Sequence, residues 1–483
     1  MQMSLSNQLT PKGHGLRRLL ITGLLSIALA SCNSAQSRAR DAYAEYQAAM
    51  SANDLPAGRR ALQKLVAAQD DVAENWLELG KLEIQAGSYA DAYHSFIRAY
   101  ELDRSNPEIL RIIVQIAVRG GDLPSAQRYA RELAVVSPGD PWVKIAGGYN
   151  ALSEHRFDDA VKASDAILAA TPFDPTATVL KARGLIGQNH DADARKLLED
   201  HVRSQPSDIG GWQLLARMYQ KAGDWPRVAI AVGQVLKATP GDPDSRLLLI
   251  EAALRSGNVP LARRQSAVVL QPATELGLVS AVLDRWADHW PGEQRAEDAR
   301  RLANAAAPAQ KAVYAAFLNQ IDRPADALSL AAPYAGLPVK AGNAEWNAVV
   351  GDALSRSGRL NEAKSRLDAV IAFDSGNATA LRARAQLLLR TGKTSEAIID
   401  AQKLVTVAPQ SVRDRMLLSQ CYTASGDSNQ AERTLWDGFH DIEASQPLLQ
   451  AIVNANAKRP DVVEQVKQEY AAQLNETLGR GLL

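Results

Sequence analysis

The sequence predicts an all-α chain, a solenoid of about 12–13 antiparallel helix pairs. Three observations carry that expectation. A proline recurs at Pro138, Pro172, Pro206 and Pro240, always 34 residues apart. A glycine stands 17 residues before two of them, at Gly121 and Gly223, and the same phase gives Gly87 and Gly257. Five residues after each slot of that phase comes a small side chain: Ala92, Ala126, Ala160, Ala194, Val228 and Ala262. A fixed period of about 20–50 residues marks stacked units, and 34 residues suits a helix–turn–helix.

Each ruler has a physical reading. The glycine ends the first helix of a pair at little steric cost. The small slot lies early in the second helix, where the two helices press closest, and the proline stops that helix. One unit shows Trp76, Leu79, Gly80, Gly87, Ala92, Phe96 and Ala99; another shows Trp212, Leu215, Tyr219, Gly223 and Pro240. These residues at these offsets resemble the tetratricopeptide repeat (TPR) family. Arg104 departs from it, standing in the proline slot of the first clear copy. The resemblance implies a right-handed superhelix whose concave face binds protein segments.

At the N-terminus, residues 1–31 read as a targeting segment. Lys12, Arg17 and Arg18 precede an apolar run from Leu19 to Leu29 that is too short to span a bilayer as a settled helix. The flanks of Arg17 and Arg18 fit twin-Arg export poorly. Leu29, Ala30, Ser31 and Cys32 resemble a bacterial lipobox, which implies acylation at Cys32. Asn33 is not the Asp that retains enteric lipoproteins in the inner membrane, so the periplasmic face of the outer membrane is expected. The whole chain carries 54 basic and 54 acidic residues, and losing the three cations of the leader leaves a net charge of −3. That balance argues against bulk nucleic-acid binding. With Cys32 lipidated, Cys421 has no partner for a disulfide, and a buried apolar role is expected for it.

Residues 32–40 read as a polar tether. An N-terminal array spans 41–274, beginning with a degenerate unit (Gly58 in the small slot, Leu62 and Leu65 on its apolar stripe) and continuing with six clear repeats starting near Ala73, Pro107, Pro141, Pro175, Ile209 and Pro243. The rulers fade over 275–343, where Ala296 and Pro308 still hold phase, and the exit from Pro333 to Asn343, with Gly336 and Pro338, is the expected hinge. A second array covers 344–445 (Gly358 with Ala363, Gly392 with Ala397, Gly426 with Ala431). Residues 446–483 read as capping helices, with Glu464, Lys467, Gln468 and Glu469 supplying a polar outer face.

Nothing in the sequence points to catalysis, a metal or a cofactor. Gly392-Lys393-Thr394 lacks the earlier glycine of a Walker A loop, because position 387 is Leu. The histidines form no H-E-x-x-H, and there is no G-x-S-x-G. Asp158, Asp159, Asp191 and Asp193 open second helices, where acids complement the positive helix end. Trp76 and Trp212 take a core slot, whereas Trp142, two places earlier in its repeat, is expected to be exposed.

The remaining candidates are surface charges. In the family, ligands touch slots 2, 5, 9, 12 and 13 of each first helix. Over nine units these slots hold Lys81, Arg111, Arg119, Arg183, Arg217, Lys221, Arg255, Arg356, Arg382, Arg390 and Arg415, against Glu74, Glu108, Asp244, Glu251, Glu345 and Asp352. Five of the eleven cations sit in slot 13, at a helix end that favours them anyway. The expected function is a non-catalytic scaffold for an envelope assembly or export machine. The architecture resembles TPR lipoproteins of exopolysaccharide and PEP-CTERM systems. A pilotin-like factor for pili, secretins or outer-membrane proteins, and direct binding of an anionic polysaccharide in a basic groove, stand as alternatives.

Overall fold

A computed structural model of the chain describes residues 35–290, 292–442 and 445–480. The targeting segment, the lipobox with Cys32 and the first tether residues lie outside these. The described residues form 26 helices and no strand, so the chain is all-α. They divide into two compact units, one ending at Ile167 and the other beginning at Leu168.

In the first unit, α1 (35–51) pairs with α2 (Leu55–Ala68), followed by α3 (Ala73–Gln85) with α4 (Tyr89–Leu102), α5 (Pro107–Arg119) with α6 (Leu123–Val136), and α7 (Pro141–Ser153) with α8 (Phe157–Leu168). The second unit continues with α9 (Pro175–Gly187) and α10 (Asp191–Ser204), α11 (Ile209–Lys221) and α12 (Trp225–Ala238), and α13 (Pro243–Arg255) and α14 (Val259–Val269). Then come α15 (Leu276–His289) and α16 (Gln294–Ala305), α17 (Pro308–Gln320) and α18 (Pro324–Ala331), α19 (Ala344–Arg356) and α20 (Leu360–Phe373), and α21 (Ala378–Arg390) and α22 (Thr394–Val407). The last pairs are α23 (Val412–Ala424) with α24 (Ser428–Asp441) and α25 (Gln446–Ala455) with α26 (Pro460–Arg480). The six clear repeats begin at the residues expected of them, Ala73 through Pro243.

The helix starts are set by side-chain caps. Asn106, Asp140, Asp174, Asp208 and Asp242 each accept hydrogen bonds from backbone N–H groups in the first turn of α5, α7, α9, α11 and α13. Four of those helices open with proline, whose missing N–H would have no intrahelical partner there. The turns between paired helices need a left-handed residue. Gly87, Gly121, Gly223 and Gly257 supply it with φ between 70° and 77°. Where the glycine ruler skips, His155 (φ 57°) and Asn189 (φ 62°) take the same conformation.

The small slot is where the paired helices touch. Ala92, Ala160, Ala194, Val228 and Ala262 are fully buried, and Ala126 is 1% exposed. Gly80 serves the same contact from the first helix: a Cβ there would lie 2.7 Å from the Phe96 ring. In the faded middle a different packing takes over. Trp286 and Trp290 meet edge to face at 4.7 Å, and Phe317 stands 6.3 Å from Trp286. The Trp286 indole donates to Ser266 Oγ at 3.0 Å. Large rings join the small residues there: Ala296, which still holds phase, is buried in the same core as Trp286 and Trp290.

Two expectations change. The tether is already helical from residue 35: Ala39 and Ala42 are buried with Leu62, Leu65 and Leu82, and Tyr46 and Met50 continue that stripe. The expected hinge is braced. Tyr334 stacks on Trp346 at 4.5 Å, Asn343 donates to the Gly336 carbonyl at 2.8 Å, and Asn347 donates to the same carbonyl at 3.0 Å. Proline and glycine interrupt the helices here, but side-chain amides and a ring stack hold the connection in place.

Candidate functional site

The first helices of the pairs carry the predicted residues, and most of those cations are already matched with an acid or a carbonyl. Lys81 on α3 sits 2.8 Å from both Glu78 and Glu108. Arg111 on α5 reaches Asp140, the buried cap of α7, at 2.6 Å. Arg119 is exposed at the end of α5. In the second unit, Arg183 on α9 is buried at 4% exposure. Arg217 on α11 is half-buried, and desolvation pulls its pKa down. Lys221 meets Asp191 at 2.6 Å. Arg255 on α13 pairs with Glu251 at 2.9 Å and lies 4.3 Å over the Trp225 ring. Arg356 pairs with Asp352 at 2.9 Å. Arg390 donates to the Ser355 carbonyl at 3.0 Å.

The expectation that Arg183, Arg217, Lys221 and Arg255 are surface charges of a basic groove is therefore corrected. One member is buried, one is half-buried, and two are held by acids. The acids that hold Arg111, Lys221 and Arg382 come from the following repeat, the second helix of the previous pair or the next first helix, so a slot-by-slot count on first helices misses them.

Arg415 is out of register. Counting back from Gly426, α23 begins at Val412 and Arg415 falls in slot 4, the slot of Trp76, Trp212 and Arg246. All four donate to a backbone carbonyl six residues earlier, in the linker: Trp76 to Asp70 at 3.0 Å, Trp212 to Pro206 at 2.9 Å, Arg415 to Pro409 at 3.1 Å, and Arg246 to Pro240. Arg415 is buried and also bonds Asp441 at 2.6 Å. Its role is to tie the linker to the helix. The half-buried indoles of Trp76 and Trp212 do the same, and Trp142 is half-buried rather than exposed.

The same register puts Arg413 in slot 2, a residue the sequence reading passed over. Arg413 on α23 and Asp284 on α15 both reach solvent, yet protein surrounds them closely enough to desolvate both. Burial raises the Asp284 carboxyl above its ordinary range, opposed by the Arg413 charge and a hydrogen bond with Gln320 of α17. Burial lowers the Arg413 pKa, and the neighbouring Arg382 lowers it further. Solvent access combined with desolvation describes the inner side of a concave wall. The Arg413 charge thus acts on α15 from α23, four first helices further on.

Arg382 anchors that wall. Its Nε and Nη2 donate to the two carboxylate oxygens of Asp414 at 2.6 and 2.8 Å, and Asp414 is fully buried. Behind it, Arg384 donates to both Asp400 oxygens at 2.7 Å and to Asp368 at 2.8 Å, which holds its guanidinium firmly charged. Cys421 is fully buried, and burial pushes its thiol up to about 11. No helix among the described residues is long and apolar enough to cross a membrane.

The tetratricopeptide repeat family model matches residues 43–108, 214–273 and 351–412. No curated protein matches the chain. Among solved structures, the protein MamA is similar at 17% identity over 36% of this chain and 94% of its own, with a TM-score of 0.30. PilW, described as a widely conserved type IV pilus biogenesis factor, is 19% identical over 41% of this chain and 91% of its own, with a TM-score of 0.33. The APC/C hetero-tetramer Cut9–Hcn1 is 11% identical over 95% of this chain and 99% of its own, with a TM-score of 0.30. With turns, small-residue contacts and helix starts in one register through all three matched stretches, the chain carries tetratricopeptide repeats.

Proposed function

We propose that this chain is a non-catalytic scaffold lipoprotein of a Gram-negative envelope that gathers protein components of an assembly or export machine, exopolysaccharide export first among them, on its first-helix faces. The observation that carries the scaffold reading is the wall around Asp284, Arg382 and Arg413: side chains of both signs, open to solvent and partly desolvated. Such a surface suits a folded or extended protein segment that brings its own mixed charges. A polyanion suits it less, because Glu108, Asp140, Asp191, Glu251, Asp352 and Asp414 already match the cations it would seek. The residues 29–32 support acylation at Cys32, and Asn33 supports the periplasmic face of the outer membrane.

Two measurements test this. Metabolic labelling with palmitate should mark the intact chain and not Cys32→Ala. Affinity capture of the intact chain from solubilised envelopes, read for both protein and glycan, should return a protein partner whose yield falls with Arg413→Glu. Capture of glycan alone, insensitive to that substitution, contradicts the scaffold reading.

A further inference from the structure

The last helix pair does not simply extend the array. Helix α26 returns to contact α9 and α11, the first helices that open the second unit. Next to that contact, Arg255 at the end of α13 donates to Gln446 of α25 at 3.4 Å, and its charge acts on the Tyr470 hydroxyl of α26. Contacts on α9, α11 and α13, from residues more than 190 positions away in sequence, define one continuous return of the C-terminal pair.

The return is anchored at its base. Val466 is fully buried against Phe439 and Ile452, Tyr470 lies 6.5 Å from Phe439, and Gln473 donates to the Phe439 carbonyl at 3.1 Å. The outward side of α26 carries Glu464, Lys467 and Gln468, so the helix has one face for the α24–α25 core and another for solvent. Through its contacts with α9 and α11, α26 lies on first helices, the elements on which a ligand of such repeats would dock.

We propose that α26 is an intramolecular occupant of the first-helix face of α9, α11 and α13, so that a partner using this part of the second unit must displace it. The face accepts a helix, and the partner segment that fits is a helix competing with α26. This deepens the scaffold reading and rests on it only for the identity of the partner; occupancy itself is tested on the chain alone.

A photo-reactive residue placed at Arg217 of the full chain, followed by digestion and mass spectrometry, should join α11 to peptides from 460–480. Removing residues 475–483, which keeps Val466, Tyr470 and Gln473 in place, should raise amide exchange in α9 and α11 at least about 10-fold in the slowest class. A labelled peptide of residues 460–480 should then bind a chain ending at Arg459 and fail to bind the full chain. Cross-links from position 217 confined to neighbouring repeats would overturn the proposal even if the shortened chains misfold. Equal peptide binding to both chains, with unchanged exchange in α9 and α11, would overturn it as well. If occupancy holds while no protein partner is ever captured, the scaffold reading fails and the self-contact stands.

Discussion

Arg382 on α21 grips Asp414 on α23 through two nearly parallel hydrogen bonds, at 2.6 and 2.8 Å, and the carboxylate has no exposure at all. A residue that the slot pattern marks as a ligand contact thus joins two repeats. Desolvation opposes the charge on Arg382, but the bonds to Asp414 prevail and raise its pKa. Removing one partner of a buried pair leaves the other charged and unmatched, which typically costs about 3–5 kcal/mol. Arg382→Ala should therefore destabilise the second unit by about that much, discounted towards the lower end because the arginine is partly exposed. Arg382→Met with Asp414→Leu should recover most of the loss. Urea midpoints for the singles and the double form the cycle.

Ala126 is 1% exposed in the small slot of α6. Overfilling so tight a contact typically costs about 1–3 kcal/mol, so Ala126→Leu should lower the melting temperature clearly. Arg128, on the exposed side of the same helix, approaches Glu132 at 3.7 Å, lies 4.7 Å over Tyr129 and interacts with the Tyr100 hydroxyl. Arg128→Leu should cost less than about 1 kcal/mol. Equal losses for both would mean that the small slot is not close-packed.

Protease entry at the 333–343 connection should depend on its braces. Lys340 is exposed and offers a tryptic cleavage point before Ala341, but Asn343 and Asn347 hold the surrounding backbone. Asn343→Ala with Asn347→Ala should make Lys340 a preferred site in limited tryptic digestion, while the parent chain resists there. Equal cutting in both would return the segment to the status of a hinge.

Asp284 gives a pH signature. Its folded pKa is raised by burial, so the fold binds that proton more tightly than the unfolded chain does. The sign follows: its ionisation works against the fold as pH rises past the ordinary carboxylate value of about 3.9. Asp284→Asn should be more stable than the parent at pH 7, with the difference closing as pH falls below that value. Urea midpoints at both pH values decide it, and a parent more stable at pH 7 would show that Arg413 and Gln320 outweigh burial.

Much of the fold was legible because each ruler marks a strict local need. Gly87, Gly121, Gly223 and Gly257 occupy a left-handed turn, and the small slot from Ala92 to Ala262 is where two helices meet with no room for more. Legibility ended where the need could be met in another way. Trp286, Trp290 and Phe317 pack the middle with rings, and His155 and Asn189 make the turn without glycine. The candidate site was less legible, for two reasons. A one-residue slip put Arg415 in place of Arg413, although Gly426 fixes the count. The partners of the cations, Asp140, Asp191 and Asp414 among them, lie outside the counted slots or in neighbouring helices. The return of α26 to α9 and α11 leaves no local mark at all, since it joins residues far apart in sequence.

On the proposed function, the first-helix wall of the second unit captures a protein. The most direct measurement is photo-cross-linking in living cells from position 413, on that wall, and from position 403, where Lys403 is exposed on the second helix α22. A discrete protein adduct is expected from 413, lost when Asp284 alone is reversed in charge, and none from 403. The same adducts from both positions, or none from 413 while the chain is folded and lipidated, would contradict it.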